Sequence, residues 1–135
     1  NGPITPFEVA RFSKRRNPLN HPTVMFRKSH VLVCGGYEEC DLFEDYYLWA
    51  KMIHHGYHIA NIPDILVETD VTADYFKRRG GLSYIAKELH LLKRLRQLCF
   101  LSMVDGIIFI STRIPIRLLP WIFRQYLYRF FLRKL

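Results

Sequence analysis

The stretch Glu44-Asp45-Tyr46-Tyr47-Leu48-Trp49 organises the chain. Apolar residues continue after it at helical spacing, and Gly56 stands where a helix stop is expected. The sequence therefore predicts an amphipathic helix whose first turn holds Glu44 and Asp45. The free N–H groups and the dipole of a helix N-terminus favour negative charge, so a carboxylate is held there in a fixed place. Spacing alone fits a simple helix cap as well as a general base.

Composition limits the possibilities for the chain as a whole. The chain has 135 residues, which is one domain at most. Half of the residues are apolar and 15% are aromatic, which is enough for a packed core. The three cysteines match no zinc or redox spacing, so we expect reduced thiols in the cytosol. The chain opens at Asn1 without a methionine, and we expect the true N-terminus elsewhere.

The net charge of +8 is unevenly distributed. No acid occurs between Glu8 and Glu38, an acidic island follows from Glu38 to Asp45, and no acid occurs after Asp105. This segregation predicts two basic surfaces that bind anions, with an acidic pocket between them.

Local patterns predict further elements. A capping box at Thr5-Pro6-Phe7-Glu8 predicts a helix over about Pro6 to Ser13. Apolar, β-favouring runs predict strands, and a long apolar stripe predicts a packing helix. These further elements are a buried strand at Thr23–Phe26, a short helix or turn at Ser29–Val33, strands at Tyr57–Ile62 and Ile65–Thr69, and a helix at Leu82–Leu101.

Four segments together resemble a known family: Arg16 to Lys28, Gly35-Gly36-Tyr37, Glu44 to Trp49, and Tyr75 to Gly81. In this order and spacing they resemble the C-terminal half of a family 2 glycosyltransferase of the GT-A fold. The bacterial enzymes of capsular and exopolysaccharide synthesis, including the amylovoran type, are the most similar. The resemblance covers nearly the entire chain.

This resemblance implies an α/β fold class, namely the C-terminal, acceptor-side part of a GT-A nucleotide-diphospho-sugar transferase fold with C-terminal helices. Residues 1–81 would be the partial catalytic domain. Residues 82–135 would be a helical extension with a basic amphipathic tail.

The resemblance also implies a reaction. A sugar would pass from a nucleotide-diphosphate donor to a saccharide acceptor, expected to be lipid-linked, with inversion. Asp45 would be the general base, and Glu44 would orient it or hold the acceptor. The residues implied to bind substrate are Gly35, Gly36, Tyr37, His21 and Asn20, together with Arg78 and Arg79.

Several of these assignments have simpler alternatives. The glycine pair has two possible roles: it allows a backbone with positive φ, or it lets the backbone approach a sugar closely. We expect both. His21 fits a hydrogen-bonded structural residue as well as a pocket residue. Arg78 and Arg79 match a diphosphate in bidentate geometry, or they form a basic turn between elements.

The resemblance implies a divalent metal, Mn or Mg, in the full-length enzyme, with ligands mostly outside this chain. No Asp-x-Asp stands at a strand end here, so no metal site is expected in these residues. Without the nucleotide-binding half, we expect this fragment alone to be inactive.

The region from Arg113 onward interleaves aromatic and apolar residues with arginines and contains no acid. It predicts a basic amphipathic helix at an anionic membrane surface, or a terminal helix docked on its own domain. We expect a cytoplasmic protein, peripheral on the inner face of the cell membrane. The alternatives are a basic nucleic-acid-binding module and a membrane-docked interaction module without catalysis. A nucleic-acid partner is not expected, because it would not explain the acidic island or the glycine pair.

Overall fold

The structure, a computed structural model, describes residues 2–68, 77–127 and 130. Within these ranges it contains helices and no β-strand. The described part of the chain therefore does not show the predicted α/β class. The helices are α1 (Pro6–Ser13), α2 (Lys28–Val33), α3 (Glu44–His54), α4 (Leu82–Gln97), α5 (Met103–Leu118) and α6 (Trp121–Leu127), with a 3-10 turn at His21–Thr23.

Helix α3 lies at the centre of the core and begins at Glu44, as predicted. All residues from Tyr46 to Met52 are buried, so the helix is covered on every side and not on one face only. One part of the core joins α3 to α4 and α5, and a second part joins it to α2. The carboxylates at the start of α3 are thereby fixed to a rigid element.

Helix α1 confirms the predicted capping box. The Thr5 hydroxyl accepts the Glu8 N–H at 3.3 Å, and the Glu8 carboxylate accepts the Thr5 N–H at 3.0 Å. The Tyr46 hydroxyl donates to the Ser13 carbonyl at 2.5 Å, which ties the end of α1 to α3.

The predicted short helix before the glycine pair is also confirmed, and its end explains both glycines. The N–H of Gly35 donates to the carbonyl of Leu32 at 3.0 Å, and the N–H of Gly36 donates to that of Val31 at 2.9 Å. This is a Schellman motif, and the φ values are +82° at Gly35 and +67° at Gly36.

The predicted strand at Thr23–Phe26 is wrong. The 3-10 turn ends at Thr23, Met25 is fully exposed and Phe26 is 41% exposed. A buried strand needs a neighbouring strand for its backbone groups, and the described residues supply none here.

The predicted strands at Tyr57–Ile62 and Ile65–Thr69 are wrong over their described residues, and Thr69 lies outside these. The segment has no regular structure, and Ile62 and Ile65 are exposed. Asn61 anchors it to the start of the chain, because its N–H donates to the Ile4 carbonyl at 3.0 Å.

Helix α4 begins at Leu82, as predicted, and ends at Gln97, before the predicted Leu101. Leu82 and Leu89 of the predicted stripe are exposed, whereas Glu88 is buried among the apolar residues. The predicted functional division at residues 81 and 82 stays a prediction. One core contains residues from both sides of it, namely Cys40, Phe43, Tyr46, Tyr47 and Ala50 on one side and Tyr84, Leu91, Leu92, Leu95 and Phe109 on the other.

The basic tail is not one continuous helix. Helix α5 extends to Leu118, and Pro120 separates it from α6. Arg113 and Arg117 point inward and pair with Glu88, which is 1% exposed, so the prediction of an exposed basic face is wrong for these two residues. Tyr128, Arg129 and residues 131–135 lie outside the described residues. In the described ranges, no helix combines the length and apolar character needed to cross a bilayer.

Candidate active site

Asp45 is half-buried in the first turn of α3, and both of its carboxylate oxygens are engaged. Oδ2 accepts the side-chain amide of Asn17 at 2.7 Å, and Oδ1 accepts the N–H of Tyr46 at 2.7 Å. A carboxylate offers about four lone-pair positions, so these bonds orient Asp45 and leave capacity for a further donor. Asp45 can thus act as an oriented proton acceptor.

Aromatic rings stand beside this carboxylate. The rings of His21 and Tyr37 meet edge to face at 5.7 Å, and those of His21 and Trp49 lie 6.4 Å apart. Burial and then the charge of Asp45 raise the pKa of Tyr37, so the Tyr37 hydroxyl shares the electrostatic environment of Asp45. The structure therefore brings together the rings of the predicted residues His21 and Tyr37, close to Trp49 of α3.

A groove of about 1110 Å³ opens beside Trp49 and Asn17. Asn17, Asn20, Phe26 and Trp49 line it, and the segment from Gly56 to Val67 forms one side. Asp45 itself is not a lining residue and reaches the groove through its bond to Asn17. Asn17 is thus the polar group that connects the groove to the candidate base, and Asn20 adds a second side-chain amide to the groove lining.

The glycine pair is held by a buried lysine that the sequence did not single out. Lys51 is 4% exposed, and its ammonium donates to the Gly36 carbonyl at 2.8 Å and to Oε1 of Glu38 at 2.6 Å. Arg94 of α4 donates to the other Glu38 oxygen. These bonds lower the pKa of Glu38, chiefly through Lys51. They fix the loop between α2 and α3.

The predicted diphosphate clamp lies near α5. Arg117 donates to the Arg79 carbonyl at 3.3 Å and lies 4.7 Å from the Tyr84 ring, and that ring meets Phe43, just before α3, at 5.7 Å. Arg78 is the exposed neighbour of Arg79 in this turn. The basic turn is therefore connected to the start of α3 by a chain of contacts.

The acidic island does not form a metal-binding cluster. Glu38 pairs with Lys51 and Arg94, Asp41 lies 2.9 Å from the His90 ring, and Asp45 accepts from Asn17. No group of three or more metal-ligating side chains comes together among the described residues. These carboxylates do not fit a divalent cation, because each faces a separate partner. Glu44 is half-buried beside Asp45 at the helix start.

Asn17 and Lys51 are the site residues that sequence reasoning missed. Asn17 precedes a proline, which indicates a helix break and says nothing of a bond to a residue 28 positions away. Lys51 follows Tyr47 by one helical turn and therefore lies on the same buried face of α3. That position was the available sign that Lys51 is buried.

Nearly the whole chain is homologous to bacterial glycosyltransferases. It is 41% identical over 134 residues to an uncharacterized glycosyltransferase of Haemophilus influenzae, which covers 99% of this chain and 49% of that protein. It is 39% identical over 126 residues to the UDP-Gal:alpha-D-GlcNAc-diphosphoundecaprenol beta-1,3-galactosyltransferase of Escherichia coli, with 93% and 46% covered.

A third relative is an amylovoran biosynthesis glycosyltransferase of Erwinia amylovora, 32% identical over 126 residues, with 93% of this chain and 47% of the relative covered. The chain spans about half the length of these curated relatives. It matches no protein-family model and no solved structure. The predicted resemblance to glycosyltransferases of bacterial polysaccharide synthesis is confirmed.

Proposed function

We propose that this homologue of bacterial glycosyltransferases supplies the acceptor side of an enzyme that transfers a sugar from a nucleotide-diphosphate donor to a lipid-linked saccharide. Its relatives' names support the donor and acceptor classes: one describes transfer from UDP-Gal to a GlcNAc-diphosphoundecaprenol, and another belongs to amylovoran biosynthesis. The product would enter a cell-surface polysaccharide. The GT-A fold is part of this proposal, and its nucleotide-binding sheet would come from outside the described residues.

The observation that carries the proposal is the Asn17–Asp45 hydrogen bond of 2.7 Å beside the groove. An acceptor hydroxyl bound there would donate to a free lone pair of the Asp45 carboxylate. As the hydroxyl oxygen attacks the anomeric carbon, its proton passes to Asp45, the bond to the diphosphate breaks, and the nucleoside diphosphate leaves. Attack opposite the leaving group inverts the anomeric centre.

The neighbouring side chains would bind the sugar. Sugar-binding pockets combine apolar surface with a few oriented polar groups. The Trp49 ring and the Asn20 amide line the groove, and the rings of His21 and Tyr37 would extend the apolar surface beside Trp49. Gly36 has no heavy atom within 4 Å of the place where a Cβ would stand, so its backbone is open to a ligand. These contacts are proposals for the bound state.

The divalent metal implied by the family resemblance is proposed for the complete enzyme only. The described carboxylates do not assemble a site for it. We further propose a position at the cytoplasmic face of the membrane, because α6 exposes Ile122, Phe123 and Tyr126 by about 60% each.

The test is Asp45→Asn in the complete protein. We expect transfer from UDP-galactose to a GlcNAc-diphosphate lipid to fall by about 10²-fold or more while donor affinity is kept. Asp41→Asn is the matched control, because Asp41 is exposed and pairs with His90. An unchanged rate for Asp45→Asn would contradict the assignment of the base. Robust transfer by residues 1–135 alone would contradict the expectation that they are inactive without the other half.

A further inference from the structure

Arg124 of α6 is a buried cation with unsatisfied hydrogen-bonding groups. Only 9% of it is exposed, and its Nε and Nη1 atoms have no hydrogen-bond partner among the described residues. Burying a charge without a partner is unfavourable, because protein surroundings replace its hydration poorly. An arginine is therefore held here without a structural reason among the described contacts.

Gly80 makes the space that Arg124 occupies. A Cβ built on Gly80 would lie 1.4 Å from Nη1 and 2.0 Å from Cζ of Arg124. The φ of Gly80 lies outside the left-handed region that favours glycine, in contrast to Gly81 at +82°. The missing side chain of Gly80 thus serves the arginine and not the backbone conformation.

The positive charge around Arg124 favours binding of an anion. Arg117 lies close enough that, after burial, its charge is the next cause lowering the pKa of Arg124. The nearby carboxylate, Glu88, is already bonded to Arg113 at 3.0 Å and to Arg117 at 2.9 Å. Among the described residues, Glu88 therefore pairs with Arg113 and Arg117, no carboxylate pairs with Arg124, and positive charge remains in excess.

We propose that Arg124, seated on Gly80, binds a phosphate oxyanion carried on a lipid. A guanidinium presents paired N–H groups that match phosphate oxygens. The same helix exposes an apolar face at Ile122, Phe123 and Tyr126, which suits the membrane interface where lipid phosphates lie. That face favours a phosphate on a lipid over a soluble one.

The site is independent of the transfer chemistry, and only the identity of its natural ligand depends on the proposed function. A lipid-linked acceptor would present its diphosphate to Arg124 while its sugar reaches Asp45. An anionic membrane lipid would use the same chemistry. Phosphate binding can therefore be measured without any sugar transfer.

The test compares three variants of the complete protein for binding of inorganic pyrophosphate by calorimetry. Arg124→Met removes the guanidinium, and Gly80→Ala displaces it while keeping every charge. Arg96→Met, at an exposed arginine of α4, is the matched control for net charge. We expect the dissociation constant to rise about tenfold or more for the first two variants and less than threefold for the control.

A second arm identifies the source of the phosphate. Flotation with phosphatidylcholine vesicles containing a polyprenyl phosphate should recover the wild type and not Arg124→Met, whereas vesicles of phosphatidylcholine alone should recover neither. Recovery that is equal for both proteins would overturn the lipid assignment.

Thermal unfolding separates binding from folding. Because Arg124→Met removes a buried unpaired charge, its midpoint should be equal to or above that of the wild type. Pyrophosphate affinities within twofold of wild type for both site variants would overturn the site. Asp45→Asn should bind pyrophosphate normally, so a failure of the proposed catalytic function would leave this result standing.

Discussion

The side-chain amide of Asn17 donates to Oδ2 of Asp45 at 2.7 Å, which joins the loop after α1 to the first turn of α3. The bond fixes the orientation of the carboxylate beside the groove. In the proposed function Asn17 would act through Asp45, as a positioning residue.

We predict that Asn17→Ala lowers kcat by about 10- to 100-fold, because a hydrogen bond to a charged group is lost. The KM for the donor should stay unchanged, since the donor would not contact Asn17. Steady-state kinetics of the complete enzyme measure both constants, with Gln97→Ala as an exposed amide control. A change confined to KM would contradict the positioning role.

The ion pairs of Glu38 predict a loss of stability in acid. Bonds from Lys51 and then Arg94 lower the pKa of Glu38 from its ordinary value near 4.5. A carboxylate whose pKa is lower in the folded state contributes stability above the unfolded value, and loses it as the pH falls through the folded value. Glu38→Gln should therefore be less stable than wild type at pH 7 and similar to it well below pH 4.

Because the Glu38 side chain is 42% exposed, solvent screening limits the difference at neutral pH to about 1 kcal/mol. Urea unfolding at both pH values measures it. Glu39→Gln, at an exposed neighbour, should show no such difference from the wild type. If Glu38→Gln differs from the wild type by the same unfolding free energy at both pH values, the ion pairs of Glu38 are not the source of the acid sensitivity.

Glu88 predicts a large effect in the core. It is 1% exposed and accepts bonds from Arg113 and Arg117. Glu88→Gln keeps the shape but leaves two half-buried guanidinium groups without a counter-charge, so we expect a loss of about 3 kcal/mol in unfolding free energy. Denaturant unfolding checks this value. A loss below 1 kcal/mol would show that solvent or another acid compensates the arginines.

Cys99 offers a stabilising substitution. It follows the C-terminal end of α4 and has φ at +57°, a conformation that disfavours side chains with a Cβ. Cys99→Gly should raise the unfolding free energy by about 0.5–1 kcal/mol, which is the relief of this strain less the added freedom of the unfolded chain. Cys99→Ala keeps the Cβ and should show no comparable gain. Thermal unfolding of both variants separates strain from loss of the thiol.

Elements with strong local signals could be predicted from the sequence. The capping box of Thr5 and Glu8 and the start of α3 at Glu44 depend on neighbouring residues, and the structure confirms both. The strands failed because a strand needs a partner. Apolar runs such as Thr23 to Phe26 have the right composition, yet no described segment pairs with them.

The same distinction separates the site residues. His21 and Tyr37 were named through a family resemblance, and the structure places their rings in contact. Asn17 and Arg124 carry no local signature, because their roles depend on Asp45 and Gly80, which are distant in sequence. Long-range pairing of this kind follows from the packed fold and not from spacing.

One core contains residues from both sides of the boundary between residues 81 and 82, and this limits how acceptor specificity can be engineered. Tyr84 of α4 packs on Phe43 just before the candidate base, so the helical extension is a structural support for that end of α3. A chimera that exchanges only the first 81 residues with a relative would place the α3 of that relative against the α4 and α5 of this chain, which are not adapted to it. Exchange of acceptor preference between these enzymes should therefore succeed only when α4 and α5 are transplanted together with the segment that they hold.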